Sequence, residues 1–326
     1  MSSGVKVSLC MIVKNEETDI KACIQSVKNL VDEIVIVDTG SEDKTREAAI
    51  GEGAMVHDYF WNSNFADARN FGLEQANGNW ILVLDADERL DDIDGVYFQS
   101  LLEAGDMEGY YFTIRSYVDS NEKVSEDYVV RLFRNKPEYR FSGAIHEQVI
   151  GSIKSNVENG VGFANITVEH YGYLSTKVTA KNKQKRNVEV IKKALADNPH
   201  DPYLLYSLGI EYMQSERLAE SVQQFETALR FLTGGEGYFS SVVVRLGVGL
   251  LRLNEQAKLT DVLEKGLIML PDNSDLHLLK GMQAFLNNEY EVTIEEVQPI
   301  VEQQSEIITE QGARNLLGNA YRLAGR

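Results

Sequence analysis

Between residues 5 and 84, four short apolar runs alternate with stretches spaced like helices, and that alternation limits the fold more than any other feature of the chain. The runs are residues 5–13, 33–38, 54–57 and 80–84, each of strand length. Residues 16–29 carry Ile20, Ile24 and Val27 at helical spacing, and residues 43–50 and 65–76 also read as helices. Buried strands joined through helices imply a mostly parallel sheet covered on both faces. Such sheets bind ligands at the carboxyl ends of their strands. The polar clusters at residues 14–17, 38–45 and 85–88 all fall at those ends.

From residue 109 to 170 the pattern changes. Strand-like segments at 110–118, 128–133 and 161–168 extend the sheet in a mixed or antiparallel sense. A lysine-rich helical stretch, 177–196, then leads to Asn198-Pro199-His200-Asp201-Pro202, a boundary. Beyond it, Leu208-Gly209, Leu246-Gly247, Lys280-Gly281 and Leu317-Gly318 recur at intervals of about 34–38, close to the tetratricopeptide period. Leu205, Leu208, Gly209, Tyr212, Phe225 and Ala228 occupy the key positions of the first repeat, and Leu246, Gly247, Leu250, Leu263 and Pro271 those of the second. The third repeat is degenerate, and the fourth stops at Arg326 after one helix begins. Terminal repeats need a polar cap. Two readings therefore stand open: a piece of a longer chain, or a last helix packed on a second copy in a homodimer. The expected organisation is an α/β domain over 1–175, a helical linker over 176–200 and an all-α repeat domain over 201–326.

Charge removes some functions. A formal net charge of -18 argues against non-specific binding to nucleic acid or to an anionic membrane, which need a basic face. No apolar stretch reaches spanning length and no signal-peptide pattern opens the chain, so a soluble cytoplasmic protein is expected. Cys10 and Cys23 match no metal-ligand spacing and read as reduced packing residues.

The chemistry concentrates in three motifs. Asp85-Ala86-Asp87 sets two carboxylates just past a buried run. The pair can address a divalent cation and a substrate together, with Mg²⁺ or Mn²⁺ suited to hard oxygen ligands and diphosphate oxygens completing the shell; the plainer alternative is a helix cap. Asp38, at the end of 33–38, can accept hydrogen bonds from a base or ribose, or close an Asx-turn with Gly40 supplying an unusual φ. Arg69, in Ala68-Arg69-Asn70-Phe71-Gly72, is a surface residue or reaches a nucleotide. The first turn, Lys14-Asn15-Glu16-Glu17, lacks the Gly-x-Gly-x-x-Gly of a nicotinamide site. An aspartyl phosphatase would carry its Asp-x-Asp after the first strand, not after the run at 80–84.

In their order and spacing VSLCMIVKNEE, IVIVDTGSEDKT and ADARNFGLEQANGNWILVLDADE resemble the family 2 glycosyltransferases of the GT-A fold, over roughly residues 6–95. The resemblance implies a Rossmann-like α/β nucleotide-sugar domain. It implies that Asp38 contacts the nucleotide base, that Asp85 lies near the ribose, and that Asp87 binds the metal bridging the diphosphate. It also implies direct displacement at the anomeric carbon with inversion, a uridine nucleotide donor, and glucose as the commonest sugar.

Downstream, the Glu-Asp pair near a tryptophan that many members use as base is missing. In its place stand Phe141-Ser142-Gly143-Ala144-Ile145-His146-Glu147, Arg131-Leu132-Phe133-Arg134 and His170-Tyr171-Gly172-Tyr173. With the repeats, these blocks look similar to a bacterial subgroup that includes the sublancin-type peptide S-glycosyltransferases. Inverting transfer needs a base for the acceptor's proton, and Glu147 and His146 are the adjacent candidates. His170 is a candidate second metal ligand beside Asp87. Arg131, Arg134, Lys181, Lys185 and Arg186 are candidates to neutralise the leaving diphosphate; the lysines read equally as a solvated helix face. Trp61 and Tyr173 stack on a ligand or simply pack. A peptide acceptor, with cysteine or serine as the modified side chain, suits a tetratricopeptide groove. A saccharide or lipid-linked acceptor, and an inactive repeat scaffold, are the alternatives.

Overall fold

The computed structural model describes residues 6–91, 93–118, 123–171 and 177–326. They form two compact units, Met1–Arg186 and Asn187–Arg326. Among the described residues the first unit carries eight strands: β1 (Val7–Val13), β2 (Glu33–Asp38), β3 (Met55–Asp58), β4 (Trp80–Val83), β5 (Glu88–Leu90), β6 (Gly109–Val118), β7 (Lys123–Arg134) and β8 (Val161–His170). They make one sheet in the order β3-β2-β1-β4-β7-β6-β8-β5. The first four are parallel; β7 then runs antiparallel to both β4 and β6. This is the expected α/β sheet with a mixed extension.

The central strands read as unbroken apolar runs because both faces are covered. Leu9, Met11, Ile36 and Leu82 pack with Ile20, Ile24 and Val27 of α1 (Ile20–Val27). With the period of two, Cys10, Val35, Ile81 and Val83 point the other way, onto Ala66 and Leu73 of α3 (Phe65–Gln75). Helix α2 (Thr45–Gly51) follows β2. Both cysteines are buried and unbridged.

Helix α1 begins four residues later than its periodicity suggests. The backbone N–H groups of Asn15, Glu16 and Glu17 donate to Ser41, Thr45 and Asp43, so this stretch is drawn into a loop against the β2–α2 turn. Three short elements are not anticipated by periodicity: β5, α4 (Gly95–Glu103) and α5 (Ile150–Asn156). At three to nine residues they hold too few turns to establish a period.

Helix α6 (Lys177–Asp197) contains the boundary between the units. The second unit pairs α7 (Pro202–Gln214) with α8 (Leu218–Leu229), α9 (Phe239–Arg252) with α10 (Gln256–Met269), and α11 (Ser274–Leu286) with α12 (Tyr290–Val297), followed by α13 (Glu310–Leu323). A Cβ on Gly209 would overlap the Phe225 ring, and one on Gly281 would overlap Val297. Ser221 donates to the Gly209 carbonyl at 2.7 Å and Thr293 to the Gly281 carbonyl at 3.1 Å. The third repeat, degenerate in sequence, therefore packs by the same device, with Val297 where the first has Phe225. No helix among the described residues is long and apolar enough to cross a membrane.

Candidate active site

The chain runs outward from β1 through β2 to β3, then returns to β4 on the other side of β1. Strand order reverses there, and a reversal opens a crevice at the carboxyl edge. Residues 14–17, 38–45 and 85–88 share that edge because β1, β2 and β4 are parallel.

Asp85 is the most heavily tied residue of the cluster. Arg69 Nη2 lies 2.8 Å from its Oδ1 and Arg131 Nη2 lies 3.7 Å from its Oδ2. Burial opposes ionisation, but the two guanidiniums outweigh it and hold the carboxyl well below the usual carboxylate range. Arg131 also pairs closely with Glu88. Burial, against the pull of Arg131, pushes Glu88 up to about 7. Asp85 and Glu88 close a turn reciprocally, with Asp85 N–H donating to Glu88 Oε2 at 2.9 Å and Glu88 N–H to the Asp85 carbonyl at 3.0 Å. Two cationic donors of this cluster, Arg69 Nη1 and Arg131 Nε, are buried with no hydrogen-bond partner among the described residues. Orphaned guanidinium N–H groups beside the crevice suit an anionic ligand.

Glu147 joins this cluster through Arg69, whose Nε donates to Glu147 Oε1 at 2.5 Å. Its loop is pinned from α3. Asn70 donates to the Phe141 carbonyl at 3.0 Å and accepts from Phe141 N–H at 2.8 Å, and Phe65 N–H donates to the Ala144 carbonyl at 3.0 Å. Ser142 and Gln148 exchange both backbone hydrogen bonds and close the loop. Inside it Gly143 has φ 101° and His146 has φ 54°, left-handed values that fit so tight a reversal. Desolvation by the surrounding protein holds the His146 imidazole below its ordinary value, against the pull of Glu147. Its neutral form can accept a proton.

Asp87 lies across the turn from Asp85. Antiparallel pairing of β5 with β8 sets Glu88 opposite His170, and Tyr171 N–H donates to the Asp87 carbonyl at 3.0 Å. His170 Nε2 thereby lies 3.5 Å from Asp87 Oδ2. Ser116, opposite His170 in β6, meets its Nδ1 at 3.1 Å and orients the ring. Burial works against the charged forms of both residues, and their mutual contact raises His170 and lowers Asp87. The carboxylate oxygen suits either Mn²⁺ or Mg²⁺, and the imidazole nitrogen, a softer donor, favours Mn²⁺ of the two. Among the described residues no group of three or more His, Cys, Asp or Glu could hold a metal. Two protein donors alone would leave the remaining ligands of such a cation to substrate and water.

Not every expected residue reaches this cluster. Asp38 is buried at the same edge, but Ser41 binds its Oδ1 through N–H at 2.9 Å and through hydroxyl at 2.7 Å, while Arg46 binds Oδ2 at 3.0 Å. Burial is outweighed by those bonds and the carboxyl is lowered. The Asx-turn reading is thus realised, with Gly40 at φ 100°. Arg134 stands apart. It pairs with Trp80 at the far end of β4, three residues or about 10 Å along β7 from Arg131 and on the opposite face. There it donates to the carbonyls of Met107 and Ala104 and lies 4.6 Å over the Trp80 ring. Trp61 packs edge-on against Phe65, and Arg186 lies 5.1 Å over the same ring. Gly172, Tyr173 and the Lys181 side chain lie outside the described residues.

Sequence reasoning missed four residues. Asn70 and Glu88 sit beside motif residues Arg69 and Asp87, and that adjacency was the available signal. Glu16 lay in the polar cluster at 14–17 without a role of its own, and Lys183 had no signal, because only the fold brings it to Asp87. Burial first, then Asp87, raises Glu16 to about 7, with Lys183 opposing.

Residues 8–152 match the family model described as glycosyl transferase family 2. A TPR repeat-containing protein of Synechococcus elongatus is 34% identical over 209 residues, 63% of this chain and 51% of that protein. The SPbeta prophage-derived glycosyltransferase SunS of Bacillus subtilis is 25% identical over 261 residues, 78% of this chain and 61% of that one. The lipopolysaccharide core biosynthesis glycosyltransferase LpsC of Rhizobium meliloti is 34% identical over 167 residues, 46% of this chain and 59% of that one. The chain thus spans between 51% and 61% of the length of these curated relatives.

Proposed function

We propose that the chain, whose residues 8–152 match the glycosyl transferase family 2 model, is an inverting transferase that moves a hexose from a uridine-nucleotide sugar to a cysteine or serine side chain of a peptide recruited by the helical repeats. The observation that carries this reading is the convergence of Asp85, Asp87, Glu147, Arg69, Arg131 and His170 on one edge of the sheet.

In this proposal Asp38 borders the nucleotide base and Asp85 the ribose. Arg69 and Arg131 direct their unpartnered N–H groups to the diphosphate, where negative charge grows during transfer. Asp87 and His170 would hold Mn²⁺ or Mg²⁺, whose charge offsets that of the leaving group. Glu147, oriented by Arg69, takes the acceptor's proton, with His146 the neighbouring substitute. The acceptor sulfur or oxygen bonds to the anomeric carbon as the bond from that carbon to the diphosphate oxygen breaks, and the nucleoside diphosphate departs. Arg134 has a bracing role at the other edge. The repeat unit and the resemblance to peptide S-glycosyltransferases support a peptide acceptor.

A saccharide acceptor is the second reading, favoured by the likeness to LpsC. The test is a thermal-shift panel of nucleotide sugars with and without Mn²⁺ or Mg²⁺, on the chain and on Asp87→Ala, followed by mass spectrometry of peptides and oligosaccharides given the donor that binds. A metal-dependent shift absent from Asp87→Ala, with one hexose added to a peptide, is the expected result. Transfer to an oligosaccharide alone would move the reading to the second acceptor. No donor binding at all would leave an inactive scaffold.

A further inference from the structure

Lys183 of α6 places its ammonium 3.6 Å from Asp87 Oδ2, the same oxygen that faces His170 at 3.5 Å. Its neighbourhood is acidic, with Glu16 and Asp85 both close enough to Asp87 for their charges to act on one another. Carboxylates gathered in this way need a counter-charge, and the Lys183 ammonium supplies it. The side chain remains 41% exposed on a flexible four-carbon stem, so it can leave that position without dismantling any packing.

We infer that Lys183 is a built-in competitor for the divalent cation at Asp87 and becomes a partner of the donor's diphosphate once the cation is seated. The inference rests on the reading of Asp87 and His170 as the cation site. An ammonium 3.6 Å from the carboxylate oxygen and a dication bound to that oxygen repel each other strongly in a partly buried site. A diphosphate changes the balance, because its negative charges accommodate both cations. Cation alone therefore binds against Lys183, whereas cation with diphosphate binds with its help. The two ligands are coupled, and by linkage each tightens the other by the same factor. The arrangement keeps the site from filling with cation before the donor arrives.

The test is calorimetric and needs no turnover. Mn²⁺ is titrated into the full chain with and without UDP, and UDP is titrated with and without Mn²⁺, for the wild type, Lys183→Gln and Lys183→Arg. Lys183→Gln is expected to bind Mn²⁺ alone about 10-fold tighter and UDP with Mn²⁺ about 10-fold weaker, while Lys183→Arg keeps most of the coupling. A tighter first constant cannot come from a misfolded variant. Unchanged or weakened binding of Mn²⁺ alone by Lys183→Gln, or unchanged UDP affinity, overturns the inference and leaves the cation site standing. Absence of Mn²⁺ binding by the wild type even with UDP overturns the cation site, and the inference with it.

Discussion

The Arg69 guanidinium spans the carboxylates of Asp85 and Glu147, giving Nη2 to the first at 2.8 Å and Nε to the second at 2.5 Å. One side chain of α3 thereby ties the end of β4 to the loop over residues 141–148. Arg69→Met would leave both acids without this partner. A loss of about 2–3 kcal/mol is expected, below the range for a fully buried pair because the Asp85 side chain is 38% exposed. Arg69→Lys should recover part of the stability, since the charge returns, but little transfer, since an ammonium cannot fork between two carboxylates. Urea melts and hexose transfer measured on the same samples separate the two effects. Equal activity of Arg69→Lys and the wild type would remove the fork from the proposed mechanism.

Asn70 acts one step further back. Its amide holds both backbone groups of Phe141, at 3.0 and 2.8 Å. Asn70→Ala should loosen the loop that carries His146 and Glu147 while leaving Asp85 and Asp87 in place. The expected outcome is a kcat lowered by about 10–100-fold with donor Kd nearly unchanged. A donor Kd that weakens as much as kcat falls would show that the loop shapes the donor site instead.

The placement of these groups was legible only where strand order could be read from apolar runs. Parallel runs put Asp38 and Asp85 on one edge, so that much followed from the pattern. Arg131 and Arg134 looked interchangeable in sequence. The register of β7 on β4 separates them, because it pairs Leu132 with Leu82 and Arg134 with Trp80, sending one guanidinium to Asp85 and the other to the opposite edge. The runs also put Glu16 on that edge, within the cluster at 14–17, but Lys183 comes to Asp87 through the topology alone, and no local periodicity encodes a contact of that kind. Asp38 shows the converse: a short polar turn motif predicts its own internal hydrogen bonds well, and those bonds are what the structure contains.

The repeat unit has its own pH-sensitive contact. His277 Nδ1 lies 2.6 Å from Glu296 and its Nε2 lies 2.8 Å from the Pro271 carbonyl. Burial disfavours the imidazolium, but the bonds to Glu296 and Pro271 outweigh it and raise the folded-state value. A raised value means that the folded state holds this proton more tightly than the unfolded chain. The stabilisation is therefore complete below the unfolded imidazole value of about 6.5 and is lost as pH rises through the folded value. The urea midpoint of the helical transition should fall from pH 6 to pH 8 in the wild type. The part of that fall due to His277 should vanish in His277→Gln. An identical pH dependence in both would mean that the pair is not coupled to folding.

Helix packing in the repeats can be tested by adding one methyl group at either of two equivalent glycines. At Gly209 a Cβ would lie 2.7 Å from Phe225 Cδ1 and 2.9 Å from its Cζ, and the ring is fully buried with no room to retreat. At Gly318, the same position of α13, a Cβ would meet nothing within 4 Å. Alanine gains up to about 1 kcal/mol over glycine inside a helix. In Gly318→Ala that gain should appear undiminished as added stability. In Gly209→Ala overpacking of about 1–3 kcal/mol opposes it, so the net effect is destabilising. Urea denaturation followed by helical circular dichroism should therefore move the two midpoints in opposite directions. If Gly209→Ala also stabilised, α7 and α8 would have to part easily, and the close Gly209–Phe225 approach would not be what sets the first repeat's geometry.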